Sequence, residues 1–593
     1  MLPVFLFFFS TLGFSQELLS DINVQTSKDA SDFFQGAVEV VSETEIEQTG
    51  YGDVTQILSQ VPGVISNGNG GFGSRTSLFI RGAEARHAGF SLDGLRLNDP
   101  SNTDRQFDGA FINPLILSEV KVFKGPQSIF YGPDAMAGLV EFVTDKGNGK
   151  NEFEYLLGAG SFDTYRGLIA QSWGTKDHKG KVSASTFKTN GISRTNKKRF
   201  NSSERDGSLT HQVVSTSSHR FNLLNTDFLV GYNYGTGELD GYSGDTKDDK
   251  SITHQFFIQQ KSSYRLTKQD TINLRAGQNR YHREILMSSG DNHYIGVTNQ
   301  VDLYWDRRTK YIHTLLGVSL DVEDFEVDRE QKKNNSLFSS YLTQKWTHDI
   351  YEFSYGLRHD HHQRFGDLFT YSLSPAINLG ETRVDYTYAT GFKAPSLYQL
   401  YAPDMWGAPV GNKDLEAERS YSHAVNLSTP IFGGQFNLSV FDTVYDDLIT
   451  WSMTEGYFNQ QKFRVQGIES SFKWSSSQFT LRPFLTVQEF KDNETEILRR
   501  PRNMWGADVA YDFNSAFSSW ARFEYRSSSK DFDSFGGVKK INGYEKVDMG
   551  LTYSHFNQRY SLKVMNIFDR EYEQLYGFST QPRSFMVEWS GKI

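Results

Sequence analysis

Two blocks decide the architecture: SLFIRGAEARHAGFSLDGLRLNDP (Ser77–Pro100) and EVKVFKGPQSIFYGPDAMAGLVEFVT (Glu119–Thr144). In the first, Phe90 and Leu92 alternate, Asp93-Gly94 supplies a two-residue turn, and Leu95 and Leu97 alternate on the return, which is a hairpin pattern. In the second, Val120 and Val122 alternate and Leu139–Val143 is an apolar run, so the blocks together predict a small mixed sheet. Upstream, Ser42 and Glu45 have capping-box spacing and Asp53 is a candidate N-cap for a second helix. Val54, Ile57, Leu58 and Val61 then recur at helical spacing until Pro62-Gly63. Asn67–Gly73 is glycine-rich and predicts a loop; it lacks the Lys-Ser/Thr ending of a phosphate-binding loop.

From about Asn151 the pattern changes to repeated period-two strands. Phe153, Tyr155, Leu157 and Ala159 alternate with polar or small residues, as do Phe436, Leu438 and Val440. Val547, Met549, Leu551 and Tyr553 follow, then Tyr560, Leu562 and Val564; the last strand places Phe585, Val587, Trp589 and Ile593 on one face. The chain has 593 residues with 30 Tyr, 47 Phe and 9 Trp, yet its mean hydropathy is −0.52. A membrane β-barrel reconciles these values: only alternate residues face lipid, and aromatic girdles mark both interfaces. A closed barrel also leaves no sheet edge open to lipid.

Leu2–Phe14 is a short apolar run, too short to span a bilayer as a helix, and Gly13 and Ser15 precede an expected cut before Gln16, as in a secretory signal peptide. With no cysteine, thiolate metal sites, disulfides and Cys nucleophiles are excluded. A formal charge of −10 argues against nonspecific nucleic-acid binding. No HExxH, GxSxG or nucleotide loop occurs, so no catalytic site is expected.

Arg81-Gly82, Asp93-Gly94, Lys124-Gly125-Pro126, Tyr131-Gly132 and Ala137-Gly138, in this order and spacing, resemble the plug domain of TonB-dependent outer-membrane receptors. The resemblance implies a mainly β fold, a 22-stranded antiparallel transmembrane barrel with an N-terminal α+β plug in its lumen. It implies four segments: a signal peptide (1–15), a TonB-box segment and linker (16–35), the plug (36–147) and the barrel (148–593). It places the chain in the outer membrane of a Gram-negative bacterium, in contact with its lipid. Asp21, Ile22, Asn23, Val24, Gln25 and Thr26 occupy the TonB-box position, where an extended strand is offered to TonB of the inner-membrane energy-coupling complex. Roughly 440 barrel residues allow about 20 per strand and connection, against the ~9–11 a spanning strand needs, so the excess is expected in long external loops. The chain ends in Ile593 where the family usually has an aromatic.

Within the family the chain is most similar to the cobalamin receptors, through FGSRTSLFIRGAEARH (Phe72–His87), SYGLRHDHHQRFG (Ser354–Gly366), ATGFKAPSLYQLYAP (Ala389–Pro403), GNKDLEAERS (Gly411–Ser420), FRVQGIESSFKW (Phe463–Trp474) and NIFDREYEQLYGF (Asn566–Phe578). Several of these blocks are shared by siderophore and haem receptors. The resemblance implies import of a large scarce nutrient, with a corrinoid as first expectation and a ferric siderophore or haem as alternative. A surface lipoprotein is a further candidate partner. Expected ligand-binding residues are Asn67, Gly68, Asn69 and Phe72 on one plug loop, Asn98, Asp99 and Asn102 on another, and the barrel-loop tyrosines Tyr398 and Tyr401, with Trp406 nearby.

In cobalamin receptors clustered aspartates of early external loops bind calcium. The corresponding carboxylates here are Glu204, Asp206, Asp240 and Asp249, with Asp245 and Asp248 beside them, and a structural calcium is the expected ion. Glu204 stands where the family has Asp. His359-Asp360-His361-His362 offers imidazoles, but successive strand residues face opposite sides, so these should not converge on a metal. Two other functions share the barrel: a passive porin, which a long plug argues against, and an outer-membrane binding or adhesion module. Deleting the plug separates them, because import becomes leakage while adhesion survives.

Overall fold

The structure, a computed structural model, describes residues 33, 38–49, 52–200, 202, 204–240, 244–246, 248–288, 290–328, 331–404, 409–460, 462–492, 497–533 and 535–593. The signal peptide, the box Asp21–Thr26 and Trp406 lie outside them.

The plug begins at the strand Val38–Ser42. Ser42 caps the helix Glu43–Thr49: its backbone N–H donates to Glu45 Oε2 (2.9 Å) and the Glu45 N–H donates to Ser42 Oγ (3.5 Å). Asp53 caps Val54–Leu58, accepting from the Thr55 N–H at 2.9 Å. That helix is shorter than its apolar spacing suggests: it stops at Leu58, and Val61 is buried in the turn that follows. Asn67 and Gly68 are also not in a loop. They close the strand Val64–Gly68, paired antiparallel with Thr76–Ile80, and the glycine-rich turn spans only 69–75.

The central plug sheet has the order Val38–Ser42, Leu117–Lys124, Gly138–Thr144, Ala88–Leu92, Leu95–Arg96, with one parallel pairing, Ala88–Leu92 against Gly138–Thr144. Asp93 (φ 50°) and Gly94 (φ 84°) both sit in the left-handed region that a tight two-residue hairpin turn requires. The sheet buries Leu92, Leu95, Val120, Val122, Val140 and Phe142 against Ile57 and Leu58 of the second helix.

Twenty-two antiparallel strands close the barrel, from Glu152–Gly160 to Ser584–Lys592. These two strands pair with each other, and Ile593 exchanges backbone hydrogen bonds with Phe153 (2.8 and 2.9 Å) at the seam. At one end, consecutive barrel strands are joined by turns of two to four residues; at the other lie the long connections 190–207, 239–249, 394–417, 447–462, 527–543 and 566–583. Short turns mark the periplasmic end of such barrels, and the plug's exit joins the same end, where Lys179 Nζ donates to the Gly147 carbonyl (2.7 Å). Leu303, Val318, Leu320 and Leu357 are exposed on the outer wall, and Trp173, Tyr264, Trp346 and Tyr351 form the aromatic girdle near the short turns.

The excess length is not all in loops. Five consecutive strands, Lys250–Arg265, Asp270–Leu286, Asn292–Arg308, Ile312–Val327 and Gln331–His348, run 16 to 18 residues, well beyond the ~9–11 that span a bilayer. They carry the wall above the membrane as continuous sheet. Hydrogen-bond pairing satisfies the backbone there more completely than a loop does, and alternation alone does not reveal where lipid ends.

Candidate functional site at the outer vestibule

The floor of the outer vestibule is made by the two plug loops expected to bind ligand, and most of their named side chains are spent on the loops themselves or on the barrel around them. Asn67 Nδ2 donates to the Arg499 carbonyl (2.8 Å), and Phe72 packs edge-on against Phe187 (5.1 Å between ring centroids). Gly68 and Asn69 are half-buried, and the Asn69 N–H donates to the Arg75 carbonyl to close the turn (3.2 Å). Gly70 (φ +85°) is pressed against barrel-loop residue Arg194: a Cβ there would meet its backbone at 2.7 Å.

In the second loop Asn98 accepts from the Phe90 N–H (2.9 Å) and donates to the Arg105 carbonyl (3.0 Å). Asp99 accepts from Ser101 and pairs with Arg283 of the barrel (2.8 Å), while Asn102 donates to the Gln106 carbonyl (2.8 Å). Asn98, Asp99 and Asn102 are all buried.

The wall carries the more open chemistry. The helix Leu397–Tyr401 starts with a full capping box: Ser396 Oγ accepts from the Gln399 N–H (2.9 Å) and Gln399 Oε1 accepts from the Ser396 N–H (2.8 Å). The Ser396 hydroxyl also donates to the Thr103 carbonyl of the plug (2.6 Å), tying wall to floor. This helix presents Tyr398, edge-on to Phe325 (6.4 Å), and Tyr401. Arg364 donates to the Tyr401 hydroxyl (2.9 Å), its guanidinium lies 5.7 Å from that ring, and the Lys333 ammonium lies 5.2 Å from it. Arg283 covers Tyr294 at 5.0 Å, and Arg75, half-exposed, rises from the plug beside Asp104 (3.9 Å). Lys333 and Arg364 were not visible as site residues in the sequence, since nothing local distinguishes a lumen-facing cation from a solvated one. The S-x-x-Q spacing at Ser396 was a readable signal for the helix.

The acidic loops do meet. Ligand oxygens of Glu204, Asp240 and Asp245 lie within 4.8 Å of one another. Asp240 accepts from the Thr195 N–H (3.1 Å) and the Thr246 N–H (3.2 Å), and Asp245 accepts from the Thr195 hydroxyl (3.0 Å). Asp206 lies behind this trio, accepting from the Arg194 N–H (2.7 Å). Burial, reinforced by the charges of Asp240 and Glu204, pushes its carboxyl up to about 7. Asp249 is elsewhere: its carboxylate accepts from the Ser288 N–H on the next loop (2.8 Å).

Along Tyr351–His362 the faces alternate as expected. Asp360 and His362 turn inward, to Arg358 (2.9 Å) and Asn335 (2.6 Å), while His359 and His361 turn outward and share Asp367 (2.8 and 2.9 Å).

Comparison with known proteins fits this geometry. A family model for the TonB dependent receptor-like β-barrel matches residues 141–567, and one for the TonB-dependent receptor plug domain matches residues 32–139. The chain therefore belongs to the TonB-dependent receptor family: it is an outer-membrane β-barrel transporter. Among solved structures it is similar to the siderophore receptor PirA of Acinetobacter baumannii (TM-score 0.82, 14% identity, 94% of this chain and 99% of that one). It is also similar to the ferric enterobactin receptor PfeA of Pseudomonas aeruginosa (0.78, 16%, 94% and 98%). A third is the ferric-catecholate import receptor Fiu of E. coli K12 (0.78, 16%, 94% and 97%).

Proposed function

We propose that this transporter imports a ferric siderophore. The observation that carries this reading is Tyr401 flanked by Arg364 and Lys333 on the vestibule wall. A cation–aromatic wall complements an anionic iron complex, since the rings supply contact area and the cations meet the negative charge. The solved structures named above are receptors for siderophores or ferric catecholates, which agrees with this reading, whereas the corrinoid expectation gains no support from them. A corrinoid, whose rim is largely amide, would make little use of two flanking cations.

In this reading ligand settles on Tyr398, Tyr401 and the plug loops, TonB takes hold of Asp21–Thr26 by strand addition, and pulling displaces the plug. Equilibrium titration of the purified receptor with ferric catecholate, ferric hydroxamate, haem and cyanocobalamin tests it. A ferric complex should bind with sub-micromolar affinity, and Arg364→Ala with Lys333→Ala should weaken it by about tenfold or more. Tight cyanocobalamin binding with no ferric-complex binding would restore the corrinoid.

Calcium at Glu204, Asp240 and Asp245, with Asp206 behind them, is proposed as an ordering ion for the two loops. Its support is the meeting of carboxylates from two loops on one point. Millimolar calcium should protect both loops from protease, and Asp240→Asn should abolish that protection.

A further inference from the structure

Besides the acidic loops, the described residues contain one further set of three metal-ligand side chains whose ligand atoms all lie within 4.8 Å of one another: His282, Glu284 and His293. His282 and Glu284 are two apart on the strand Asp270–Leu286, so they share a face, and Glu284 is directly opposite His293 on the neighbouring strand. That face is the outer wall. The intervening Tyr281 and Arg283 point inward to the plug, at the Leu97 carbonyl (2.7 Å) and Asp99 (2.8 Å). On the same two strands Leu274, Val301 and Leu303 are exposed nearer the short turns. The trio thus stands toward the external rim, above the apolar band.

We propose that His282, Glu284 and His293 bind one zinc-class divalent transition ion on the outer wall of the barrel. His282 Nε2 and His293 Nδ1 lie 3.5 and 3.9 Å from the same oxygen, Glu284 Oε1. Ligand atoms about 2.0–2.2 Å from a tetrahedral zinc sit roughly 3.3–3.5 Å apart, so one pair is already at that spacing and His293 has about half an ångström to close. His293 Nδ1 is shielded from solvent and has no hydrogen-bond partner, so it stands free for an ion beside the carboxylate. The His293 backbone is fixed from the next connection, its N–H donating to Asp328 Oδ1 (2.8 Å).

Two imidazoles and one carboxylate select zinc, copper or nickel over calcium and magnesium, which require mostly oxygen ligands. His254 is the nearest further imidazole, but it stacks on His282 (5.9 Å, 26°) and its Nδ1 is bonded to the Tyr232 hydroxyl (2.7 Å). Ring nitrogens lie in the ring plane, so a stacked ring does not aim them at its neighbour's metal, and water takes the fourth position. Arg280, two residues before His282 on the same face, is the one opposing cation on that strand's outer side. The bound ion would clamp the two strands where they leave the membrane, independently of the transported ligand.

The test uses the full-length receptor in detergent micelles, without a polyhistidine tag and stripped by a chelator. Zinc is titrated against a chromophoric competitor, and cobalt(II) absorption reports ligand geometry. One zinc per chain with micromolar or tighter affinity and a tetrahedral cobalt spectrum are expected. His282→Ala and His293→Ala should each weaken zinc by about tenfold or more; His254→Ala and His361→Ala should leave it unchanged. All four side chains are at least partly exposed on the outer wall, and retained heat-modifiable migration on gels confirms a folded barrel. Absence of saturable zinc binding, or unaltered affinity in the His282→Ala, His293→Ala double variant, overturns the proposal.

Discussion

The inside of the plug and its seam with the barrel differ in what accompanies their apolar packing. Inside, Ile57, Leu92, Leu95, Val120, Val122, Val140 and Phe142 are almost wholly shielded and belong to one apolar cluster. At the seam, apolar contacts such as Phe72 on Phe187 are joined by charges: Arg81 and Lys124 both pair with Glu469 of the barrel (3.0 and 3.3 Å), Arg86 pairs with Glu418 (2.9 Å), which also hydrogen-bonds His87 Nε2 (3.1 Å), and Lys393 pairs with Asp134 of the plug (2.6 Å). Arg105 bridges Asp134 (3.0 Å) and Glu323, and Arg500 of the barrel meets Glu84. Apolar contacts lose their full transfer free energy when exposed to water, whereas buried ions regain hydration, which offsets much of the lost pairing. A plug with an apolar interior and a seam rich in ion pairs is therefore a body that holds together while its attachment yields more readily. That is the property a pulled gate needs.

The largest expected effect comes from leaving both regions intact and removing the pull. Asn23→Pro deletes a backbone donor in the proposed TonB strand. Uptake of radiolabelled ligand should collapse to background while binding to whole cells stays normal; undiminished uptake moves the coupling segment elsewhere.

Breaking the interior comes next. Phe142→Ala should destabilise the plug by about 3–5 kcal/mol. Hydrogen exchange should then show plug amides losing protection while those of the barrel keep theirs. Equal loss in both would mean that the two fold as one unit.

The seam should respond to how it is altered. Glu469→Ala strands Arg81 and Lys124 and should cost about 3–5 kcal/mol of plug docking. Replacing all three residues by apolar ones of similar volume should be neutral or stabilising by about 1–4 kcal/mol, yet slow uptake, because an apolar seam resists separation. Faster uptake in the triple variant would refute the contrast.

Smaller effects belong to the vestibule. Ser396→Ala removes both a helix cap and the link to Thr103, and should cost about 1 kcal/mol, read as faster exchange over 397–401 and a several-fold weaker ligand affinity. Asp206 gives a pH signature. Its folded-state carboxyl is raised to about 7 from 3.8, so its stabilising contribution is complete below 3.8 and is lost as pH rises through 7. Without calcium the loops should loosen from about pH 6 to about pH 8; with calcium the trend should reverse, since the ion needs the ionised carboxylates. Thermal melting at the two pH values reads both signs.

The repeat of two pointed to the barrel and the hairpin Phe90–Leu97 to the small mixed sheet, because alternation and turn chemistry are local properties of a chain, whereas the plug itself was read through resemblance. The capping residues Ser42 and Asp53 were legible for the same reason. The meeting of loops 190–207 and 239–249 was also anticipated, through resemblance rather than spacing. What only the tertiary structure decided is which side chains converge. Asp245 rather than Asp249 completes the acidic trio, Asn98 and Asp99 shape the floor, and Lys333, on a strand, and Arg364, in a connection, flank Tyr401. His282, Glu284 and His293 likewise acquire meaning only through register, which places Glu284 opposite His293. A closed sheet brings residues far apart in sequence to one point by its shear and strand order, and neither is encoded in any short stretch of sequence.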